Sequence, residues 1–368
     1  MTAVEEQVAH RRAAFHRLRV AAVDRLTDDA VAVTFDVPPA LRDDYRFTAG
    51  QHVNVRTTID GAEIRRSYSI CAPATGQRLR VAVKRLDGGA FSAYAHDLLR
   101  TGDTVDVMTP TGRFFTRLDP ANTKHYVAIA AGSGITPVLS IVATTLEVER
   151  SSRVTLVYGN RTTRSVMFLD EIADIKDRYP DRFVVHHVLS REPQDVELFS
   201  GRLDPERVGR ILDLLVPVET VDEWFLCGPF AMIEGTRDVL VGRGVGRAHV
   251  HTELFHVEGE APRESVAPSE GTEIDDAATV TAVLDGRSTT FDMARTGDRV
   301  LDALLRVRDD APYACKGGVC GTCRAKLVAG EVRMERNYAL EDDEIEEGFV
   351  LACQSHPVTD AVTLDFDQ

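Results

Sequence analysis

The chain has 368 residues, 43% of them hydrophobic, and a formal net charge of −15 at pH 7. That length exceeds one ordinary core and implies two or three domains, each with apolar residues enough to bury its own. The negative balance argues against non-specific nucleic-acid binding, which needs clustered positive charge to displace counterions from phosphate, and fits docking on a basic partner surface or solubility alone.

The first residues, Met1 to Arg12, contain no apolar run of signal-peptide length, and nowhere do eighteen apolar residues run together. The expectation is a cytoplasmic protein without a membrane span. Residues 12–115 read as short alternating strands: Leu18–Val23, Ala30–Phe35, His52–Arg56, Leu79–Lys84 and Thr104–Met108. Many short strands separated by Gly and Pro turns predict an antiparallel β-barrel.

Residues 116–255 change character. Near-continuous apolar runs at Tyr126–Ala131, Val154–Tyr158, Phe183–Leu189 and Trp224–Cys227 alternate with helical stretches. Strands buried on both faces and separated by helices predict a doubly wound parallel α/β sheet. A tract over 256–277, rich in Glu, Pro and Ser, lacks hydrophobic periodicity and reads as a linker, mobile by composition. Residues 278–368 restart with strands at Thr279–Leu284 and Ser288–Phe291, a helix over Val300–Leu305, and then a cysteine loop.

Several motifs carry chemistry. Arg65-Arg66-Ser67-Tyr68-Ser69 ends a predicted barrel strand, where an arginine can pair with a pyrophosphate, a tyrosine ring can stack on a flavin and a serine hydroxyl can reach its reactive edge. Beyond Lys84-Arg85, the turn Gly88-Gly89 opens a short helix through Phe91 and Ser92, and the free N–H groups of a helix start hold phosphate. Gly132-Ser133-Gly134-Ile135-Thr136-Pro137 follows a buried strand and begins a helix, the setting of a dinucleotide pyrophosphate, although Pro137 stands where the third glycine of the fingerprint would be. After the next strand, Arg161 and Arg164 supply cations with no acidic residue in that segment, which favours NADPH over NADH. Cys227-Gly228-Pro229 closes another strand at the edge where ligands bind in such sheets, whereas Cys71 reads as an ordinary structural residue, in the core or at the surface. His186 and His187 lie on opposite faces of one strand and cannot easily share a metal; His10, His16 and His96 have no partner pattern. The acidic run from Leu340 to Glu347 reads as a solvated helix or a docking face.

Four residues separate Cys315 from Cys320 and two separate Cys320 from Cys323, with Cys353 thirty residues further on. This is the plant-type spacing of a [2Fe–2S] cluster, and it places four of the six cysteines as ligands in a reducing compartment. Gly317, Gly318 and Gly321 let the loop turn its amides towards the sulfurs. A zinc knuckle would show two C-x-x-C arms and only one is present; zinc or a disulfide pair remain the alternatives.

In this order, Arg66-Ser67-Tyr68-Ser69, Gly132 to Pro137 and Cys227-Gly228-Pro229 resemble the ferredoxin–NADP reductase superfamily, and the appended cluster loop narrows this to the reductases of multicomponent oxygenases. The segments Tyr158 to Phe168, Asn337 to Leu340 and Cys353 to Pro357 are similar to the phenylacetate-degradation branch of that family. The resemblance runs over nearly the whole chain from His16 and implies a third fold, an α+β (β-grasp) ferredoxin domain. It implies FAD held by Arg66, Ser67, Tyr68, Ser69, Val83, Lys84, Gly89, Phe91 and Ser92, with Glu253 and Phe255 returning to the flavin's far side. NADPH would lie on Gly132, Ser133, Gly134, Thr136 and Pro137, its nicotinamide bordered by Thr136, Cys227, Gly228 and Pro229, with Arg161 and Arg164 at its 2′-phosphate. The implied catalytic set is Ser69, Cys227 and Glu253, and the implied path runs from NADPH to FAD to the cluster to a di-iron oxygenase. A Rieske-type ring or steroid hydroxylase is the alternative partner, and an iron–sulfur redox-sensing module the alternative that is not an enzyme.

Overall fold

The computed structural model describes residues 14–255 and 276–368; His10 and the linker expected over 256–277, except its last two residues, lie outside them. The chain divides into two compact units, one carrying the first two sheets and the other the C-terminal sheet.

The first sheet is all antiparallel, with β1 (Phe15–Thr27), β2 (Ala30–Asp36), β3 (His52–Ile59), β4 (Ala62–Ser69), β5 (Arg80–Lys84) and β6 (Thr104–Met108) in the order β4-β3-β6-β1-β2-β5. A bridge between Ile70 and Val81 joins its two edges and closes the barrel. Alternation explains the closure: Leu18, Val20, Val31, Val33, Val53, Val55, Val81, Val83, Val105 and Val107 all point inward to one core. Helix α1 (Ala90–Asp97) packs Phe91 and Ala95 into the same core.

The second sheet is parallel, β7 (His125–Ala131), β8 (Arg153–Asn160), β9 (Phe183–Leu189), β10 (Glu223–Cys227) and β11 (Val250–Glu253), in the order β11-β10-β7-β8-β9. Four helices connect its strands: α2 (Ile135–Val148), α3 (Leu169–Arg178), α4 (Pro205–Leu215) and α5 (Phe230–Gly242). Helix α2 is buried almost all round, as a helix without a polar face must be. It lies against the parallel sheet and also against the barrel: the Ser140 hydroxyl donates to the Ala72 carbonyl at 2.6 Å, and Thr144 accepts from the Ala74 N–H at 3.0 Å. An Arg80–Glu171 ion pair at 2.8 Å adds a second tie between barrel and parallel sheet. Strand β11 has no apolar run to announce it and is recognisable only by its pairing with β10.

The C-terminal unit holds a mixed sheet, β12 (Ala277–Leu284), β13 (Arg287–Ala294), β14 (Arg324–Ala329), β16 (Phe349–Leu351) and β18 (Ala361–Asp365), in the order β13-β12-β18-β14-β16. Strands β12 and β18 run parallel and the other pairs antiparallel. Helix α6 (Val300–Leu304) buries Val300, Leu301, Ala303 and Leu304 against this sheet, which gives the β-grasp arrangement. A small ribbon of β15 (Val332–Met334) and β17 (Ser355–Pro357) flanks it. The acidic run becomes a helix of one turn, α7 (Asp342–Glu346), and it is not wholly solvated: Glu344 is buried and meets Arg324 at 2.9 Å.

Candidate functional site

Strand β4 sorts its two arginines. Arg65 is buried and paired with Glu63 at 2.8 Å, so it is structural. Arg66 points to the other face, donates to its neighbour's carbonyl at 2.7 Å, and has no ion-pair partner among the described residues. A half-buried guanidinium without a carboxylate suits an anion. Ser67 donates to Asn54 Oδ1 at 2.6 Å, which fixes the strand's register on β3. The Tyr68 ring lies 5.4 Å from that of Phe91 at a tilt of 38°, and burial pushes its phenol well above the usual range.

Phe91 is thus a core anchor that joins Tyr68 to α1. Gly88, at φ +72°, turns the chain into this helix, and Gly89 is its N-cap. The Ser92 hydroxyl is occupied, donating to the Gly89 carbonyl and accepting from the Leu86 N–H at 2.9 and 3.1 Å. Any phosphate contact here therefore falls to the first-turn N–H groups rather than to Ser92 Oγ. Val83 faces the barrel core, which leaves its backbone alone for a ligand, while Lys84 lies 3.5 Å from Asp29.

Ser69 ends β4, and its hydroxyl donates to Glu253 Oε2 at 2.9 Å across 184 residues of sequence. Glu253 ends β11, paired in register with Cys227 on β10. The Cys227 thiol is fully buried, and that burial, with Glu253 nearby, pushes it well above the ordinary thiol range. It is therefore a neutral wall of the site at pH 7, and no nucleophile. Phe255 is partly exposed just beyond.

The glycine loop meets the same place. Gly132 has φ +55°, which favours glycine, and the Tyr158 hydroxyl donates to its carbonyl at 3.0 Å. A Cβ on Gly134 would lie 2.1 Å from the Cys227 carbonyl oxygen, so only glycine lets the start of α2 touch the end of β10. Thr136 is buried and donates to the Ser133 carbonyl at 3.0 Å, and Pro137 is buried within α2. On the neighbouring loop Pro229 follows Gly228 and stands at the N-cap of α5. Ser69, Glu253, Cys227 and the Gly132–Gly134 loop thus adjoin along one chain of contacts at the strand ends.

Arg161 and Arg164 are exposed at the end of β8 and have no ion-pair partner among the described residues. The sequence pattern left two neighbours unnoticed. Arg191 follows β9, and its N–H donates to the Arg161 carbonyl at 2.8 Å, which brings a third cation to this edge. Glu192, outside the segment in which no acidic residue was found, comes to the same edge; its carboxylate is occupied by the N–H and hydroxyl of Thr163 at 2.8 and 2.7 Å. An arginine two residues past the end of β9 was the available signal. Of the other histidines singled out, His186 stacks on Phe199 at 5.5 Å and His187 lies by Tyr158 at 6.0 Å, whereas His96, for which no partner was expected, lies 3.2 Å from Asp97 and 3.1 Å from the Asp28 carbonyl.

In the C-terminal unit the Cys315 thiol is within hydrogen-bonding reach of Cys320 and Cys353, and Cys353 of Cys323. The thiols thus adjoin in a row, Cys320 to Cys315, Cys315 to Cys353 and Cys353 to Cys323. A row with Cys315 and Cys320 at one end and Cys323 and Cys353 at the other fits two bridged irons better than one tetrahedral zinc. Donors already face the sulfurs: the Gly317 N–H is 3.3 Å from Cys315 Sγ, and Gln354 Nε2 is 3.5 Å from Cys353 Sγ. Gly318 (φ +77°) and Gly321 (φ +65°) supply the loop's left-handed turns. Cys71, by contrast, is buried in the first unit and donates to the Arg80 carbonyl, which makes it a structural residue of the core rather than of the surface.

Residues 17–116 match the family model for an oxidoreductase FAD-binding domain, 128–238 that for an oxidoreductase NAD-binding domain, and 282–358 that for a 2Fe-2S iron-sulfur cluster binding domain. The chain is 44% identical over 353 residues to a subunit of the 1,2-phenylacetyl-CoA epoxidase of Escherichia coli strain K12, covering 96% of this chain and 98% of the relative. It is 34% identical to the ferredoxin reductase component of the 3-ketosteroid-9-alpha-monooxygenase of Rhodococcus rhodochrous, covering 95% and 96%. Among solved structures, phthalate dioxygenase reductase, described as a modular structure for electron transfer from pyridine nucleotides to [2Fe-2S], matches with TM-score 0.58 and 25% identity over 96% of this chain and 98% of that one.

Proposed function

We propose, from the premise that this chain belongs to the oxygenase reductases of the ferredoxin–NADP reductase superfamily, that it draws electrons from NADPH and delivers them to a di-iron phenylacetyl-CoA 1,2-epoxidase. When bound, FAD takes two electrons as hydride and releases them singly, and the [2Fe–2S] cluster carries them one at a time. The chain's own residues do the placing. Arg66 and the first-turn N–H groups of α1 take the FAD phosphates, Tyr68 packs on the flavin ring, and Ser69 and Glu253 border its reactive edge, with Phe255 on the far side. Gly132 to Pro137 hold the NADPH pyrophosphate, Thr136, Cys227, Gly228 and Pro229 border the nicotinamide, and Arg161, Arg164 and Arg191 face its 2′-phosphate. Cys315, Cys320, Cys323 and Cys353 are the iron ligands. The observation that carries this reading is the contact chain of Ser69, Glu253, Cys227 and Gly134, which joins the flavin strand to the nicotinamide loop.

The choice of epoxidase rests on the 44% identity over nearly both full lengths, and the reductase of a Rieske-type or steroid hydroxylase is the second reading, supported by the 34% identity. No helix among the described residues is long and apolar enough to cross a membrane, and a cytoplasmic site accords with thiolate iron ligands. The test is anaerobic NADPH titration watched at flavin and cluster wavelengths, followed by addition of the phenylacetyl-CoA oxygenase or a Rieske oxygenase with its substrate. Product should form with the first alone. In Cys320→Ser, flavin reduction should persist while cluster bleaching and product disappear; equal loss of flavin reduction would overturn the order of transfer.

A further inference from the structure

Behind Ser69 and Glu253 lies a residue that the electron path does not use. His52 starts β3 and pairs in register with Ser69, so their side chains stand on the same face of the sheet. Its ring is buried, with Nδ1 3.8 Å from Glu253 Oε1, while Ser69 donates to the other carboxylate oxygen at 2.9 Å. Nε2 is buried without a partner among the described residues. Opposite the ring stands Gly112 at φ +115°, where a Cβ would lie 2.8 Å from His52 Nδ1. The wall is thus cut back to backbone where the imidazole sits, and a buried ring with an unpaired nitrogen calls for a reason beyond packing.

We propose that His52 is a positioning residue for Glu253: its Nδ1–H faces the carboxylate oxygen that Ser69 does not engage, holding the carboxylate ionised and turned to the Ser69 hydroxyl. This rests on reading Ser69 and Glu253 as flavin-edge groups. Reducing a flavin by hydride takes up one further proton from solvent, and that proton leaves again as the electrons pass on. A carboxylate beside the serine hydroxyl can accept and return it, provided it is not already protonated. Burial holds the imidazole neutral, with its proton affinity lowered to about pH 4, so it acts as an N–H donor and not as a counter-ion. Among the described residues, the ionisable groups in contact with this arrangement include Glu253 on β11 and, beside Glu253, the neutral Cys227 thiol on β10. Closing 3.8 Å to a charge-assisted hydrogen bond requires a shift of about 1 Å, of the kind by which unliganded sites tighten on binding.

Two variants of the FAD-loaded full chain separate positioning from packing. In His52→Asn the amide N–H lies near the place of Nδ1, and in His52→Gln it lies near that of Nε2. Stopped-flow flavin reduction by NADPH from pH 5.5 to 9, with the pH dependence of the flavin midpoint potential as second readout, should show the acid limb of H52Q raised by about one pH unit, about tenfold slower at pH 6, with H52N displaced by less than half as much. Identical profiles in H52Q and wild type, or equal displacement in H52Q and H52N, overturn the proposal. Ser69→Ala is the separate arm: a wild-type rate in S69A would sink the flavin-edge reading itself, whereas a slow S69A with an unmoved H52Q limb sinks only the role of His52.

Discussion

Replacing Gly134 by alanine tests the contact on which the proposed nicotinamide site depends. Its backbone, at φ −59° and ψ −11°, is open to any residue, so the substitution carries no conformational penalty of its own. The added Cβ would lie 2.1 Å from the Cys227 carbonyl oxygen, 2.5 Å from its carbon and 2.9 Å from the Gly228 nitrogen, all backbone atoms that no rotamer change can move. Restoring ordinary contact at about 3.4 Å requires the two loops to part by more than about 1 Å, and a misplacement of that size costs about 100-fold in rate. Overpacking adds about 1–3 kcal/mol of destabilisation. Flavin content should be retained, because Arg66, Tyr68 and α1 lie outside the clash, so single-turnover reduction by NADPH isolates the effect. Gly132→Ala is a comparison for stability alone, since Gly132 belongs to the proposed pyrophosphate loop: no protein atom lies within 4 Å of its Cβ, and within the fold only the φ of +55° opposes it, at about 1–2 kcal/mol. A G134A rate within about threefold of wild type, with unchanged melting temperature, would refute the claim that this contact shapes the site.

Alanine at both Arg161 and Arg164 removes up to two charge-assisted contacts and should raise KM for NADPH by about tenfold or more while leaving that for NADH within about twofold; equal changes for both would show that the pair does not read the 2′-phosphate. Glu149 is wholly buried and accepts from Tyr126, Ser152, Asn122 and the Asp119 N–H at 2.8, 2.7, 2.7 and 2.9 Å, so Glu149→Leu strands four donors and should lower stability by about 3–5 kcal/mol in urea unfolding, with Glu149→Gln in between. His52 binds its proton at about pH 4 when folded and near 6.5 when unfolded, so its contribution is whole above pH 6.5 and is lost as pH falls towards 4. The difference in unfolding free energy between wild type and H52N should therefore shift by up to about 3 kcal/mol across that window, and parallel curves would contradict the burial of a neutral ring.

The sequence by itself determined whatever depends on near neighbours. Period-two alternation placed the barrel strands, since each residue's face is set by its neighbour's, and continuous apolar runs placed the central strands of the parallel sheet. The spacing of Cys315, Cys320 and Cys323 identified a cluster loop because three ligands lie within one turn of chain. Composition and spacing alone did not separate Arg65 from Arg66, which the family resemblance did and β4 then set on opposite faces, and the acidic run could not disclose that Glu344 turns inward to Arg324. Only tertiary structure showed that the residues of the proposed reactive edge meet. Ser69 and Glu253 meet across 184 residues, His52 joins them through the β3–β4 register, and Gly134 touches Cys227 because α2 and β10 converge at one end of the sheet. No local pattern encodes such meetings: they follow from strand order and register, which the burial of whole sheets selects.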